Sequence, residues 1–286
     1  MRGEKDMMAL ILGVAGKDDR IRAVSMEGSR ANPMAPRDRY QDYDITYYVA
    51  DIAPFYNNPA WVEERFGRPL IMQMPEAMRG AAGDGNFNYM MIYPDGNRLD
   101  LSFVRTKHAE HLEEGEPSLL LLDKDEGRGF LPPASSPPSD ALWHIRPPSE
   151  LFYFSCCNDF WWCLNNVAKG IARDELPYVM HMLGWVRAEL HDMINWYIGA
   201  QRGFDLSTGK AGKYFKRVLS PELYAQYAAT YSGSGAAEIW ASVDAMCGLF
   251  HTLAVAVGGH FGFAYRQDEE DGMRVYLNMV REGGPA

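Results

Sequence analysis

The chain has 286 residues, 47% hydrophobic and 23% charged, which is enough apolar side chain for one large domain or two of ordinary size. Its 28 basic and 38 acidic residues leave a net charge of −10, which argues against a general nucleic-acid binder, since that needs a basic face, and suits a cationic small substrate. There is no uncharged apolar run of the roughly 18 residues a membrane span needs, and the mixed charges of the first residues do not resemble a signal peptide.

Residues 4–15 carry Met7, Met8, Leu10, Ile11 and Val14 at helical spacing, which predicts an opening amphipathic helix. Arg22–Glu27 reads as a short strand ending at Gly28. Ser29 is placed to cap a following short helix, which Pro33 and Pro36 end. Residues 42–49 predict a strand whose alternation puts Asp42, Asp44, Thr46 and Tyr48 on one face, and Tyr43, Ile45, Tyr47 and Val49 on a core face. A short helix at 60–67 and a strand at 70–74 follow. Strands at 89–93 and 98–104 are joined by the turn sequence Pro94-Asp95-Gly96-Asn97, and the second puts Asp100 and Ser102 on its polar face.

Residues 126–149 are rich in Gly, Pro and Ser and read as a linker between domains at 1–140 and 141–286. Helical periodicity covers 149–170 and 174–200, with further helices expected at 210–231 and 235–258 and the acidic run 268–271 expected as a solvated loop. The expected fold is α+β: an N-terminal domain with a mixed β-sheet flanked by helices, then a C-terminal α-helical bundle. Cys156, Cys157, Cys163 and Cys247 show no CxxC pair and read as small core hydrophobes in a reducing cytoplasm. Trp161, Trp162, Trp185, Trp196 and Trp240 read mostly as core, with one or two free to line a sugar-binding cleft.

The chemistry gathers in the first domain. Backbone N–H groups of the Gly28-Ser29 turn and the Ser29 hydroxyl can cradle terminal phosphates. Arg30 can add a charged contact to those phosphates, or pair with a nearby acid. Asp42 and Asp44 offer hard oxygen ligands for magnesium, which favours carboxylates combined with phosphates. Asp100 can complete a second metal position or take the proton from an attacking hydroxyl. This set fits in-line attack of a hydroxyl on the α-phosphate of ATP, with release of pyrophosphate. Glu76 and Asp159 can bind guanidinium or ammonium groups of an acceptor, or form local ion pairs.

The segment GSRAN…QDYDITY, with LDLSFV downstream, resembles the nucleotidyltransferase superfamily that includes DNA polymerase beta. The opening MRGEKDMMALILGVAGKDDRIRAVSMEGSRAN, MQMPEAM at 72–78, CCNDFWW at 156–162, VAKGIARDELPY at 167–178 and GKYFKRVL at 212–219 more closely resemble the aminoglycoside 6-adenylyltransferases. The resemblance implies a cytoplasmic resistance enzyme, a monomer or weak homodimer with neither nucleic-acid nor membrane partner. Its reaction would move AMP from ATP to an aminoglycoside hydroxyl, the 6-hydroxyl of streptomycin, with two Mg²⁺ ions. It implies triphosphate binding at Gly28 and Ser29, metal binding at Asp42 and Asp44, and a third carboxylate, the general base, at Asp100. It also implies a lysine and a tyrosine from the helical domain on the triphosphate, for which Lys169 and Tyr231 are the candidates and Lys213 the second lysine. The stretches 79–88 and 132–138 depart from the family pattern. The residues alone leave open a transferase acting on another small molecule or a protein, or a non-catalytic nucleotide-binding module.

Overall fold

A computed structural model describes residues 2–78, 85–106, 117–126 and 139–283. The chain forms two compact units, Met1–Leu142 and Trp143–Ala286. The proline-rich stretch 132–138 lies outside the described residues, as do residues 79–84 of the glycine-rich stretch.

The first unit holds α1 (Glu4–Lys17), β1 (Ile21–Glu27), α2 (Gly28–Ala31), β2 (Tyr43–Val49), α3 (Pro59–Phe66), β3 (Ile71–Gln73), β4 (Phe87–Ile92), β5 (Arg98–Arg105) and β6 (Ser118–Asp123). Its strands form a mixed sheet in the order β3-β4-β5-β2-β1-β6, in which β2 and β5 run parallel and the other neighbours antiparallel. Strand alternation sorts the side chains. Tyr43, Ile45, Tyr47, Val49, Leu99, Leu101 and Phe103 join Met7 and Ile11 of α1 in one core. Tyr47 donates its hydroxyl to the Ile11 carbonyl at 2.6 Å, which ties the central strand to that helix. The other face carries the acids.

Strand β6 went unread in the sequence. Its run Ser-Leu-Leu-Leu-Leu-Asp lacks alternation, and pairing with β1 is what makes it a strand.

The second unit holds α4 (Glu150–Ala172), α5 (Leu176–Arg202), α6 (Phe215–Val218), α7 (Pro221–Ala228), α8 (Ala236–Phe261) and α9 (Gln267–Arg281). Its core runs through all of the long helices, with Phe160 of α4 stacked on Phe250 of α8 at 3.7 Å. Against the expectation that no apolar run is long enough for a membrane span, α8 is the one described helix that passes by length and composition, because residues 245–261 carry no Asp, Glu, Lys or Arg. Of its most apolar window, 56% is buried within the unit, as in a core helix. Of the tryptophans expected in the core, Trp161 is fully enclosed, while Trp162 and Trp185 are exposed.

Two helical expectations need correction. The helix expected at 210–231 is broken into short pieces. Positive φ angles at Gly209 (73°), Ala211 (55°) and Gly212 (73°) interrupt it, and Ser220-Pro221 starts a new helix. The acidic run 268–271 is not a loop: it forms the first turns of α9, where acids favour the positive helix end. Glu270 there is only 3% exposed. It accepts hydrogen bonds from Tyr265 (2.8 Å) and Arg274 (2.7 Å) and pairs with His251 Nδ1 (2.7 Å). Burial works to raise its pKa, but these partners hold it below the ordinary glutamate value. Glu270→Ala is expected to destabilise the protein by about 2–4 kcal/mol, because three polar partners lose their acceptor. Urea unfolding followed by tryptophan fluorescence tests this. A midpoint equal to wild type would exclude a structural role for the cluster.

Candidate active site

Strand pairing lines the acids up. In the register of the sheet, Glu27 of β1 faces Asp44 of β2, and Asp44 faces Asp100 of β5. The next row on the same face is Ser25, Thr46, Ser102 and Asn88. Asp42 lies one residue before β2, at the mouth of this row, rather than inside the strand.

Gly28 sets how closely the turn approaches. Its φ of +68° lies in the left-handed region, and a Cβ there would overlap Asp44 Oδ2 and meet Cγ at 3.1 Å. The carboxylate of Asp44 therefore packs directly under the turn. Ser29 does not cap α2 as expected: the cap position is Glu27, and Ser29 lies within the helix. Its carbonyl accepts from Gln41 Nε2 at 3.0 Å, and its hydroxyl makes no hydrogen bond among the described residues.

Arg30 is 5% exposed and its guanidinium is occupied. It donates to the carbonyls of Asp42 (3.0 Å) and Gln41 (2.9 Å), pairs with Glu4 at 3.3 Å, and lies 3.8 Å over the Tyr43 ring. Of its two alternatives, structural pairing describes these contacts. They hold the backbone that presents Asp42.

The electrostatics follow from crowding. Asp44 is pushed up to about 6, first by burial and then by Asp100, Asp42 and Glu27, with Arg98 opposing. Asp42 is raised by burial, against the pull of Arg98. Glu27 is itself held by the Thr46 hydroxyl at 2.8 Å and by that of Ser25.

Sequence reasoning missed Glu27 and Arg98. Both signals were present, since Glu27 directly precedes the turn and Arg98 lies two residues before Asp100 on the same strand face. Cross-strand register alone connects Glu27 with Asp44.

The donor set suits a divalent ion that shares its shell with phosphates: Asp42 and Asp44 supply hard oxygens, and the lack of a side chain at Gly28 lets the turn lie against the Asp44 carboxylate. Among the described residues, no three His, Cys, Asp or Glu side chains form a ready-made cage, so ligands from outside the chain are needed to complete a site.

Other candidates lie elsewhere. Glu76 accepts hydrogen bonds from Asn88, one of them from the backbone N–H at 2.9 Å, which connects it to the Ser102 row. Asp159, Lys169, Lys213 and Tyr231 belong to the second unit. Asp159 and Lys213 are exposed, and Lys169 is half-buried near the end of α4. Tyr231 bonds to the Tyr227 hydroxyl at 2.8 Å beneath the Arg187 guanidinium. No hydrogen bond joins Lys169, Lys213 and Tyr231 to one another among the described residues.

The streptomycin adenylyltransferase family profile matches residues 1–280. An aminoglycoside 6-adenylyltransferase of Bacillus subtilis (strain 168) is 37% identical over 285 residues, 98% of each chain. Another, from Campylobacter jejuni, is 35% identical over 268 residues, covering 93% of this chain and 91% of that one. A crystal structure of an aminoglycoside 6-adenyltransferase from Bacillus subtilis covers 98% of this chain and 99% of its own, at 32% identity and a TM-score of 0.48. With matches that run through both units, this chain belongs to the streptomycin adenylyltransferase family and is a nucleotidyltransferase.

Proposed function

We propose that the protein transfers AMP from ATP to a hydroxyl of a cationic aminoglycoside, the 6-hydroxyl of streptomycin, and releases pyrophosphate. The observation that carries this reading is the acid row beneath the Gly28 turn, with Asp44 between Asp100 and Glu27. The names of the curated relatives support the acceptor class.

In this reading Asp42 and Asp44 hold Mg²⁺, and Ser29 offers its free hydroxyl to the triphosphate. Bound magnesium supplies Lewis-acid charge stabilisation for the phosphates. Asp100 takes the proton from the acceptor hydroxyl as the new P–O bond forms and the bond to pyrophosphate breaks. Lys169, Lys213 and Tyr231 are proposed triphosphate contacts, and Glu76 and Asp159 are proposed partners for acceptor cations. The net charge of −10 favours accumulation of such a cation.

The test is pyrophosphate release from ATP across an aminoglycoside panel, with labelled ATP to show whether AMP ends on drug or protein. Label on streptomycin is the expected outcome; label on protein alone overturns the acceptor assignment. Asp100→Asn is expected to abolish turnover while ATP still binds. Loss of ATP binding together with turnover would make Asp100 a metal ligand instead of the base.

A further inference from the structure

Both carboxylate oxygens of Asp100 are engaged by a residue of its own strand. Arg98 Nε donates to Oδ1 at 2.9 Å and Nη2 to Oδ2 at 2.6 Å, a bidentate pair. The third nitrogen of the same guanidinium, Nη1, lies 3.3 Å from Asp42 Oδ2. One cation therefore bridges two of the three aspartates to which the proposed chemistry assigns metal binding or proton transfer.

We propose that Arg98 is the internal counter-cation of the acid row: it neutralises Asp42 and Asp100 in the metal-free protein and competes with the divalent ion for Asp42. This rests on the metal reading given above.

Two features suit Arg98 to the role. Its side chain is 39% exposed, so the guanidinium can swing toward water without breaking buried packing. Arg30, the other arginine close to Asp42, is 6% exposed and fixed by two backbone carbonyls, so it cannot leave. The planar fork also matches the carboxylate of Asp100 in a way an ammonium cannot, so Arg98→Lys keeps the charge but loses the bidentate hold. When a divalent ion arrives, the contact to Asp42 is the simpler one to release, being single and longer.

The test uses the full-length protein and Mn²⁺ alone as the probe. In EDTA, Arg98→Met is expected to melt below wild type, and adding Asp100→Asn to it is expected to recover part of the loss, because one uncompensated charge is gone. By calorimetry, Arg98→Met is expected to bind Mn²⁺ about tenfold more tightly than wild type, within the usual range for coupled binding, with Arg98→Lys in between. Equal or weaker Mn²⁺ affinity in Arg98→Met overturns the competition and leaves Arg98 as a residue that positions Asp100 beside the metal site. Unchanged melting in EDTA overturns the counter-cation role itself. If wild type and Arg98→Met both fail to bind Mn²⁺, the metal reading and the competition fall together, and the EDTA comparison still decides whether Arg98 compensates the acids.

Discussion

Asp44→Asn is expected to lower turnover by on the order of 10²–10³-fold or more, the scale for removing one group that stabilises developing charge, while the protein stays folded. Its stability is expected to move the other way. Asp44 in the folded protein is raised from 3.8 to about 6, first by burial and then by Asp100, Asp42 and Glu27. The folded state thus holds this proton more tightly than the unfolded chain does. Stability must fall as pH rises from about 4 to about 6, and the deficit persists above that range. At about 1.4 kcal/mol per unit, the deficit is roughly 2–3 kcal/mol. Asparagine carries no such charge, so in EDTA at pH 8 the variant is expected to melt above wild type, with the gap closing toward pH 4. A variant that melts lower at pH 8 would refute the crowding argument. Wild-type turnover in the variant would remove Asp44 from the proposed metal site.

Gly28→Ala is expected to damage both stability and activity, for reasons local to one atom. An L-residue at a φ of +68° pays a left-handed backbone cost of about 1–2 kcal/mol. The new Cβ would also overlap the Asp44 carboxylate. Either the turn or the acid must shift, and a displacement of about 1 Å at a reacting centre costs on the order of 10²-fold in rate. Gly13→Ala on α1 serves as the control: nothing lies within 4 Å of its Cβ position and φ is not positive there, so it is expected to stabilise by up to about 1 kcal/mol. Thermal melting and pyrophosphate release measured on both variants separate the outcomes. A fully active Gly28→Ala protein would show that the turn need not lie close to Asp44.

Both predictions rest on a site that was partly visible beforehand. Asp44 and Asp100 alternate with apolar residues, so their shared polar face was legible from strand periodicity, which depends only on neighbours along the chain. The same local logic located α1, α4, α5 and α8 to within a few residues. It failed where neighbours in space decided the outcome. Strand β6 is a strand because β1 pairs with it. Residues 268–271 start a helix whose Glu270 is buried against Tyr265, Arg274 and His251, and the acidic run itself carries no trace of those partners. The helix expected at 210–231 broke because an apolar stripe does not report the positive φ values at 209–212.

By itself, the sequence determined which acids share a strand face, where glycine permits a sharp turn, and the α+β division into a sheet-bearing half and a helical half. Those properties follow from side-chain periodicity and backbone sterics along one stretch of chain. Only the tertiary structure decided which acids face each other across strands. Register brought Glu27 beside Asp44, and the parallel pairing of β2 with β5 put Asp100 on its other side. It also decided how charge is balanced there, since Arg30 is buried under the backbone while Arg98 bridges Asp42 and Asp100. Pairing energies and charge compensation depend on distances between residues far apart in the chain, and those distances exist only once the sheet has formed.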